Sequence, residues 1–253
     1  MSSDTSAPLA RPELTIDLSS IFISQEGTHH LIDGHSLYPQ RYAWVLNFHP
    51  PGMAAAGDST GAFHISLSGK PAYNARFSRT FGFYDGRAAI QSSTGWGHID
   101  DSGLPVYPPL FSWVGNFQQK RCPVRTTRSL YYHILPDGSP AYEERYGFAG
   151  DYREGSAVVQ RTNGTFVHVN LAGDPLNGKE FLDLDVYHKG YARARDQNGW
   201  FHIDELGNSV YQQRFQNVEP FYNGQARAET KNREIVIIDE QGNQVLRLLK
   251  PTL

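Results

Sequence analysis

Six histidines recur at nearly constant spacing and are the side chains of this chain best placed to carry chemistry. Each lies five residues before a glycine that recurs every 34 or 35 residues, and Ile237 takes the equivalent place in a seventh copy. The six are His29, His64, His98, His133, His168 and His202. Neutral imidazole is a common ligand for transition metals. The spacing therefore predicts that a subset of these histidines binds a divalent metal (Zn, Fe, Co, Ni or Cu).

A structural role is the alternative interpretation of the histidine column. Repeats arise by duplication, so a shared histidine can be inherited, its ring packing as an aromatic with one nitrogen bonded to a backbone carbonyl. Isoleucine or valine follows the histidine position in six of the seven copies, and alternation along a strand would place that residue on the opposite face. We expect the isoleucines in the core and the histidines elsewhere, in a ring or a stripe. The sequence identifies no catalytic residue.

Arginine forms a second repeated column, directly before an aromatic residue. Its members are Arg41, Arg76, Arg145 and Arg214, whereas Leu110 and Glu180 stand in the third and fifth copies. A guanidinium group matches carboxylate or phosphate. Together with His64, His98, His133, His168 and His202, these arginines are predicted to bind a small anionic ligand. The alternative is that they protect an edge strand or cover aromatic surface with their stems.

Both columns belong to one long repeat. The recurring glycines are Gly34, Gly69, Gly103, Gly138, Gly173, Gly207 and Gly242, and aromatic residues follow most of them at four, eight and fourteen positions. The chain is therefore predicted to contain seven copies of a unit of about 34 residues. The approximate units are 21–50, 51–85, 86–119, 120–154, 155–189, 190–223 and 224–253.

The clearest copy, residues 190–215, predicts the structure of one unit. "YARAR" and "WFHID" alternate as strands do, and Asn198-Gly199 between them is a strong hairpin signal. "ELGN" is a second turn, and "SVYQQRF" is predicted as a third strand. The rest of the copy leads to the next unit, with Phe221 as a packing anchor. Such a three-stranded meander has too little core to stand alone, so neighbouring units must bury each other's faces.

These copies resemble the WG repeat. "GWGHID..G" at 95–103 and "GWFHID..G" at 199–207 are similar to that family's "G.WGYID..G", with histidine in place of the usual tyrosine. The resemblance covers about residues 21–250, although the Trp-Gly pair is intact only at Trp96-Gly97. It implies a β-rich interaction module and no particular reaction. Related repeats beside methyltransferase-like domains suggest a methyltransferase-like partner.

We predict an all-β fold of seven tandem meanders. The favoured arrangement is a closed, seven-bladed, β-propeller-like toroid, because a small residue occupies the first strand in six units, as suits a strand near an axis. The alternative is an open β superhelix of stacked hairpins. Residues 1–13 are predicted to be a disordered lead, and residues 14–253 a single WG-repeat domain.

Composition excludes several classes of protein. A net charge of −3 argues against a nucleic-acid partner, and no apolar run approaches the roughly 20 residues that span a bilayer. The first residues lack the features of a signal peptide, so we expect a cytoplasmic protein without a membrane partner. The lone Cys122 forms no internal disulfide and is expected to be a small buried residue.

Two functions remain open. In the first, the chain is a recognition scaffold for a protein, peptide or small anionic ligand on a surface lined by repeated histidine and arginine. Trp96, Trp113, Tyr131 and Trp200 are its plausible anchors. In the second, the chain is a metal-dependent enzyme of small-molecule biosynthesis, with a multi-histidine site on the toroid axis.

Overall fold

Seven small antiparallel sheets follow one another along the chain in the computed structural model, which describes residues 16–248. The predicted all-β fold of seven tandem meanders is confirmed. The only helical turn among these residues is a 3₁₀ turn at Leu18–Ser20. The predicted lead, residues 1–13, lies outside the described part.

The strands are numbered in chain order. The first three sheets consist of β1 (Ile21–Ile23), β2 (His30–Ile32) and β3 (His35–Ser36); β4 (Trp44–His49), β5 (Met53–Asp58) and β6 (Gly61–Ser66); and β7 (Arg79–Tyr84), β8 (Arg87–Gln91) and β9 (Trp96–Ile99). The next three consist of β10 (Trp113–Val114), β11 (Cys122–Arg125) and β12 (Tyr131–Ile134); β13 (Phe148–Ala149), β14 (Ser156–Gln160) and β15 (Phe166–Asn170); and β16 (Asp183–Leu184), β17 (Ala192–Asp196) and β18 (Gly199–Ile203). The seventh has β19 (Asn217–Val218), β20 (Gln225–Glu229), β21 (Ile235–Asp239) and β22 (Gln244–Arg247).

The strand that opens each sheet from the second onward comes from the segment that we predicted to be a linker. In the sixth sheet, β16 pairs with β17, and β17 pairs with the predicted second strand, β18. The predicted third strand, by contrast, meets β18 only at two isolated bridges, Ile203 with Ser209 and Trp200 with Phe215. The chain between those bridges bulges away from the sheet, so the meander is displaced by one strand from its predicted position.

All seven repeat glycines adopt the left-handed conformation predicted for the turn, with φ between 72° and 87°. A second constraint acts on most of them. In five units the tyrosine four residues after the glycine packs its ring on the glycine of the following unit, where a Cβ atom would overlap it, as Tyr73 does on Gly103. Glycine is therefore required both by the backbone conformation and by the neighbouring ring.

Neighbouring sheets share their cores. Each of five clusters of buried side chains, taken with the partly buried side chains packed against it, combines residues from adjacent sheets. The small residues of the first predicted strand are buried in these clusters. Cys122 is one of these residues, as expected, and burial raises the pKa of its thiol well above the usual value.

The array does not close on itself through a shared sheet. Within residues 16–248 the first sheet uses only residues 21–36, the last uses only residues 217–247, and no sheet contains strands from both ends. No buried cluster joins the first and last sheets either. This arrangement fits the open alternative better than the favoured toroid.

Candidate functional site

One buried histidine joins each of the first six sheets to the next sheet. Its Nε2–H donates to a backbone carbonyl 16 or 17 residues further along, in or directly after the strand that opens the following sheet. The six pairs are His30 with Leu46 (2.9 Å), His64 with Phe81 (2.7 Å), His98 with Gly115 (3.0 Å), His133 with Gly150 (2.7 Å), His168 with Asp185 (2.8 Å) and His202 with Glu219 (2.9 Å). All six side chains are at most 2% exposed.

The other ring nitrogen, Nδ1, accepts a hydrogen bond from a tyrosine hydroxyl in five of these six units. His30 with Tyr38 and His202 with Tyr211 are both 2.6 Å apart. The remaining pairs are His64 with Tyr73, His98 with Tyr107 and His133 with Tyr142. Because Nε2 faces a carbonyl and must carry the proton, each ring is the neutral Nε2–H tautomer.

Aromatic rings complete the surroundings of these histidines. The aromatic residue fourteen positions after the glycine packs on the preceding histidine with ring centroids 3.9–4.8 Å apart; for Phe221 on His202 the separation is 3.9 Å. This agrees with the predicted packing role of Phe221. Burial lowers the pKa of His64, His98, His133, His168 and His202 to about 4 and lowers that of His30 as well.

His30, not His29, belongs to this column. His29 instead lies beside Thr28, with Nδ1 and Oγ1 3.2 Å apart. The first unit reaches its glycine one residue sooner, because β2 and β3 are joined by a two-residue turn at Asp33-Gly34. Counting back from the glycine therefore selected the wrong one of two adjacent histidines.

The predicted histidine ligands are not brought together. Five of them lie in five different sheets and His29 lies directly before β2. Residues 16–248 contain no group of three or more His, Cys, Asp or Glu side chains that could hold a metal ion. The rings are also buried, which corrects the expectation of a surface lined by histidine. Metal binding stays a prediction from sequence alone, without a ligand set in the described chain.

The seventh unit supports a structural role for the histidine. It carries Ile237 at the histidine position and Leu246 at the tyrosine position, and no further sheet follows it within the described residues. The histidine is thus present where a following sheet offers a carbonyl and absent where none does.

We expect His202→Ala to destabilise the fold by about 3 kcal/mol. The substitution removes a ring that is fully buried and leaves the Tyr211 hydroxyl and the Glu219 carbonyl without their partner. Urea unfolding at neutral pH measures the loss. The exposed His35 is the control, and His35→Ala should change the free energy of unfolding by less than about 0.5 kcal/mol. Equal unfolding midpoints for the two variants would contradict a structural role.

The guanidinium groups of the predicted arginine column also form their hydrogen bonds within the chain. In each case Nη1 donates to the carbonyls of the three preceding residues; for Arg214 these lie 3.1–3.3 Å away. Arg41, Arg76 and Arg145 do the same. Arg76, Arg145 and Arg214 also lie over aromatic rings at 3.5–3.9 Å. The arginines hold the bulged segment against the sheet, so the interpretation in which their stems cover aromatic surface fits them.

Exposed and half-buried aromatic side chains form a different repeated feature, the aromatic row, defined as Phe81, Trp96, Trp113, Tyr131 and Phe148. Phe81 stacks on Trp96 with centroids 6.0 Å apart, and Tyr131 lies 6.2 Å from Trp113 and 5.8 Å from Phe148. Phe81, Trp113 and Phe148 are 37%, 39% and 43% exposed. The row thus consists of a stacked pair in the third sheet and a group of three rings in the fourth and fifth sheets.

Three of the four predicted anchors, Trp96, Trp113 and Tyr131, therefore lie in this row. Trp200 lies apart in the sixth sheet, where Asp183 occupies the strand position that Trp113 and Phe148 hold in theirs. Sequence analysis missed Phe81 and Phe148. Both residues lie in the segment predicted to be a linker. The signal that could have identified them is an aromatic residue in that segment, close to a small or apolar residue that is buried in the structure.

Two arginines accompany the row. Arg79 is exposed and has no ion-pair partner among the described residues. Arg125 lies between Trp113 and Tyr131 in the strand register, with its guanidinium 5.8 Å from the Tyr131 ring. It donates through Nη2 to Ser129, and its Nε has no partner within residues 16–248. The row is thus apolar and positively charged.

Tandem sheets of one kind, each joined to the next by a buried histidine, define a repeat protein built entirely from β-strands. A comparison with family models identifies the repeat: the WG containing repeat matches residues 96–127, which begin at Trp96 and extend just past β11. This match covers about one period of the chain and supports the predicted resemblance to the WG repeat.

Comparison with solved structures finds several of similar shape. The computationally designed Ika8 protein has a TM-score of 0.48 at 10% identity, over 90% of this chain and 83% of that one. BamB from Moraxella catarrhalis has a TM-score of 0.49 at 9% identity, over 85% and 77%. The WD40 β-propeller domain of Doa1 has a TM-score of 0.34 at 14% identity, over 79% of each chain.

A comparison with curated proteins finds no match. Among residues 16–248, no helix has the length and apolar character needed to cross a bilayer.

Proposed function

We propose that the chain is a recognition scaffold that binds a protein partner through the aromatic row. The observation that carries the proposal is a set of partly exposed rings on three consecutive sheets, held by a rigid array. Exposed aromatic clusters flanked by arginine are typical of the residues that dominate binding energy at protein interfaces.

The partner's chemistry follows from the charges of the row. Arg79 has no carboxylate within the described chain, and Arg125 keeps one N–H without an acceptor. A partner segment that offers aspartate or glutamate next to apolar side chains would satisfy both features. A surface cavity of about 400 Å³ between Trp44 and Phe81, with Arg79 in its wall, would take one such side chain.

Selection from a random peptide library displayed on phage tests this function. We expect the selected peptides to be rich in acidic and aromatic residues. The double variant Trp113→Ala, Tyr131→Ala should bind them at least tenfold more weakly, a loss of about 1.4 kcal/mol. Fluorescence anisotropy with a selected, labelled peptide measures the affinity.

The matched control removes exposed apolar side chains elsewhere. Leu104 and Leu206 are more exposed than the row and lie in repeat turns, so Leu104→Ala, Leu206→Ala should leave peptide binding unchanged. Equal binding by the row variant and the unaltered chain, or failure to select any peptide, would overturn the proposal.

A further inference from the structure

The fifth sheet carries a surface cavity of about 200 Å³ at the opposite end of β14 from the aromatic row. Its wall is formed by Glu154, Ser156, Leu176, Tyr187 and Glu205, together with Gly155. This fifth-sheet cavity lies between the turn that precedes β14 and the repeat turn of the sixth unit. At the position of Ser156 two other units carry arginine, whereas Met53, Tyr191 and Gln225 stand there in three more.

Ser156 occupies a position at which two other units carry an arginine side chain. Arg87 and Arg121 occupy the same position in their units, directly before the buried small residue near the start of the middle strand of the sheet. Their Nε–H groups donate to the carbonyls of Pro136 (3.0 Å) and Leu171 (3.2 Å) in the next unit's turn. The equivalent carbonyl beside Ser156 belongs to Glu205. The Ser156 hydroxyl instead lies 3.3 Å from the carbonyl of Arg153.

A second substitution in the same unit leaves a buried acceptor without a donor. Asn177 replaces the tyrosine that bonds the histidine elsewhere, and His168 Nδ1 consequently has no hydrogen-bond partner in the described chain. His168 is 2% exposed, and its Nε2–H is already donated to Asp185. The Asn177 side chain stands where the phenol lies in five other units, and its Nδ2 group also has no hydrogen-bond partner among the described residues. Tyr187, a wall residue of the cavity, stacks on the same ring with centroids 4.2 Å apart.

The polar atoms around this space are mostly hydrogen-bond acceptors. They are the carboxylates of Glu154 and Glu205 and the carbonyl of Glu205. Among residues 16–248 Glu154 has a single ion-pair contact, with Arg153 at 3.9 Å. The Tyr187 hydroxyl is already donated to the Asp204 carbonyl (3.1 Å). A cation with several donors and no acceptor suits such a site, as ammonium and guanidinium groups both are. The contacts that Arg87 and Arg121 make with the equivalent carbonyls favour guanidinium.

We infer that the fifth-sheet cavity binds a guanidinium group supplied from outside the chain, in the place where Arg87 and Arg121 supply one from within. The group either belongs to a small free molecule or is the arginine side chain of a protein partner. This site is separate from the aromatic row and does not depend on the function proposed for it.

Isothermal titration with two probes tests the inference and distinguishes the sources. Agmatine represents a free guanidinium compound, and the capped peptide acetyl-Gly-Arg-Gly-amide represents a partner's arginine. Saturable binding of agmatine with one site per chain is expected. If the peptide binds at least as tightly as agmatine, the natural ligand is a partner's arginine; if only agmatine binds, it is a small molecule. Butylamine, which lacks the guanidinium group, should bind at least tenfold more weakly than agmatine.

Variants place the binding in this cavity. Ser156→Arg restores the internal guanidinium and should weaken agmatine binding at least tenfold, whereas Ser156→Ala leaves the cavity open and should change binding less than twofold. Glu205→Gln is a second variant that does not fill the space and should weaken binding at least threefold. Melting curves verify that each variant is folded. Unchanged agmatine binding in both Ser156→Arg and Glu205→Gln, or no binding to the unaltered chain at millimolar concentration, would overturn the inference.

Discussion

Acidification from pH 6.5 towards pH 4 is expected to unfold this protein. Five histidines have a pKa of about 4 in the folded chain because they are buried, whereas their unperturbed value is 6.5. Between these two pH values the unfolded chain binds more protons than the folded chain, so the free energy of unfolding decreases as the pH falls. The stabilisation by neutral histidine is complete above pH 6.5 and is lost towards pH 4.

The size of the effect follows from the number of rings. Five protons taken up on unfolding correspond to a slope of at most about 7 kcal/mol per pH unit. A typical domain is stable by roughly 5–15 kcal/mol in total, so unfolding should occur before pH 4 is reached. The turn aspartates with lowered pKa contribute only at lower pH. Asp151, whose pKa is raised by burial, opposes the trend with a single group.

Urea unfolding followed by tryptophan fluorescence at several pH values between 7.5 and 4.5 measures this slope. The double variant His98→Ile, Tyr107→Leu reproduces the pair found in the seventh unit and should lower the proton uptake by about one, at some cost in stability. His35→Gln, which changes an exposed histidine, should leave the slope unchanged. A free energy of unfolding that is constant from pH 7.5 to 4.5 would show that the buried rings do not control stability.

Gly103→Ala is expected to lower the free energy of unfolding by about 3 kcal/mol. Gly103 has φ +81°, and a Cβ atom there would overlap the ring of Tyr73. To relieve the overlap the ring must move, and its hydroxyl would then leave His64 Nδ1. Backbone strain, overpacking and a weakened buried hydrogen bond all lower the free energy of unfolding.

Gly86→Ala is the matched control for the backbone effect. Gly86 has a similar φ of +75° but has no atom within 4 Å of an added Cβ. It should therefore lose only about 1 kcal/mol. Thermal unfolding of both variants gives the difference. If the two lose the same stability, the tyrosine ring does not constrain the repeat glycine.

The number of sheets and their hairpins could be predicted because they depend on local signals. A glycine every 34 or 35 residues and Asn198-Gly199 in the clearest copy mark turns whose backbone needs φ > 0. The strands that open the sheets were missed for a physical reason. Strands such as β10 and β13 contain two residues and pair on one side only, so they are too short to show an alternating pattern.

The role of the histidines could not be predicted from alternation alone. Alternation correctly placed His202 and Ile203 on opposite faces, but both faces of β18 are buried, one of them by the strand that opens the next sheet. The acceptor for the ring, the Glu219 carbonyl, is 17 residues away and belongs to a segment without a strand signal. An internal clue was nevertheless present, since Ile237 replaces the histidine only in the last copy.

Because each histidine reaches only the sheet that follows its own, all six junctions share the same hydrogen bond from histidine Nε2 to a carbonyl of the next sheet. A whole repeat can therefore be deleted or inserted without leaving a histidine or its carbonyl acceptor unpaired, provided that the segment begins and ends at equivalent positions in two repeats. Such a chain can lengthen or shorten by unequal recombination and still fold, whereas loss of half a period would break the junction on either side. This architecture is thus compatible with changes in the number of repeats.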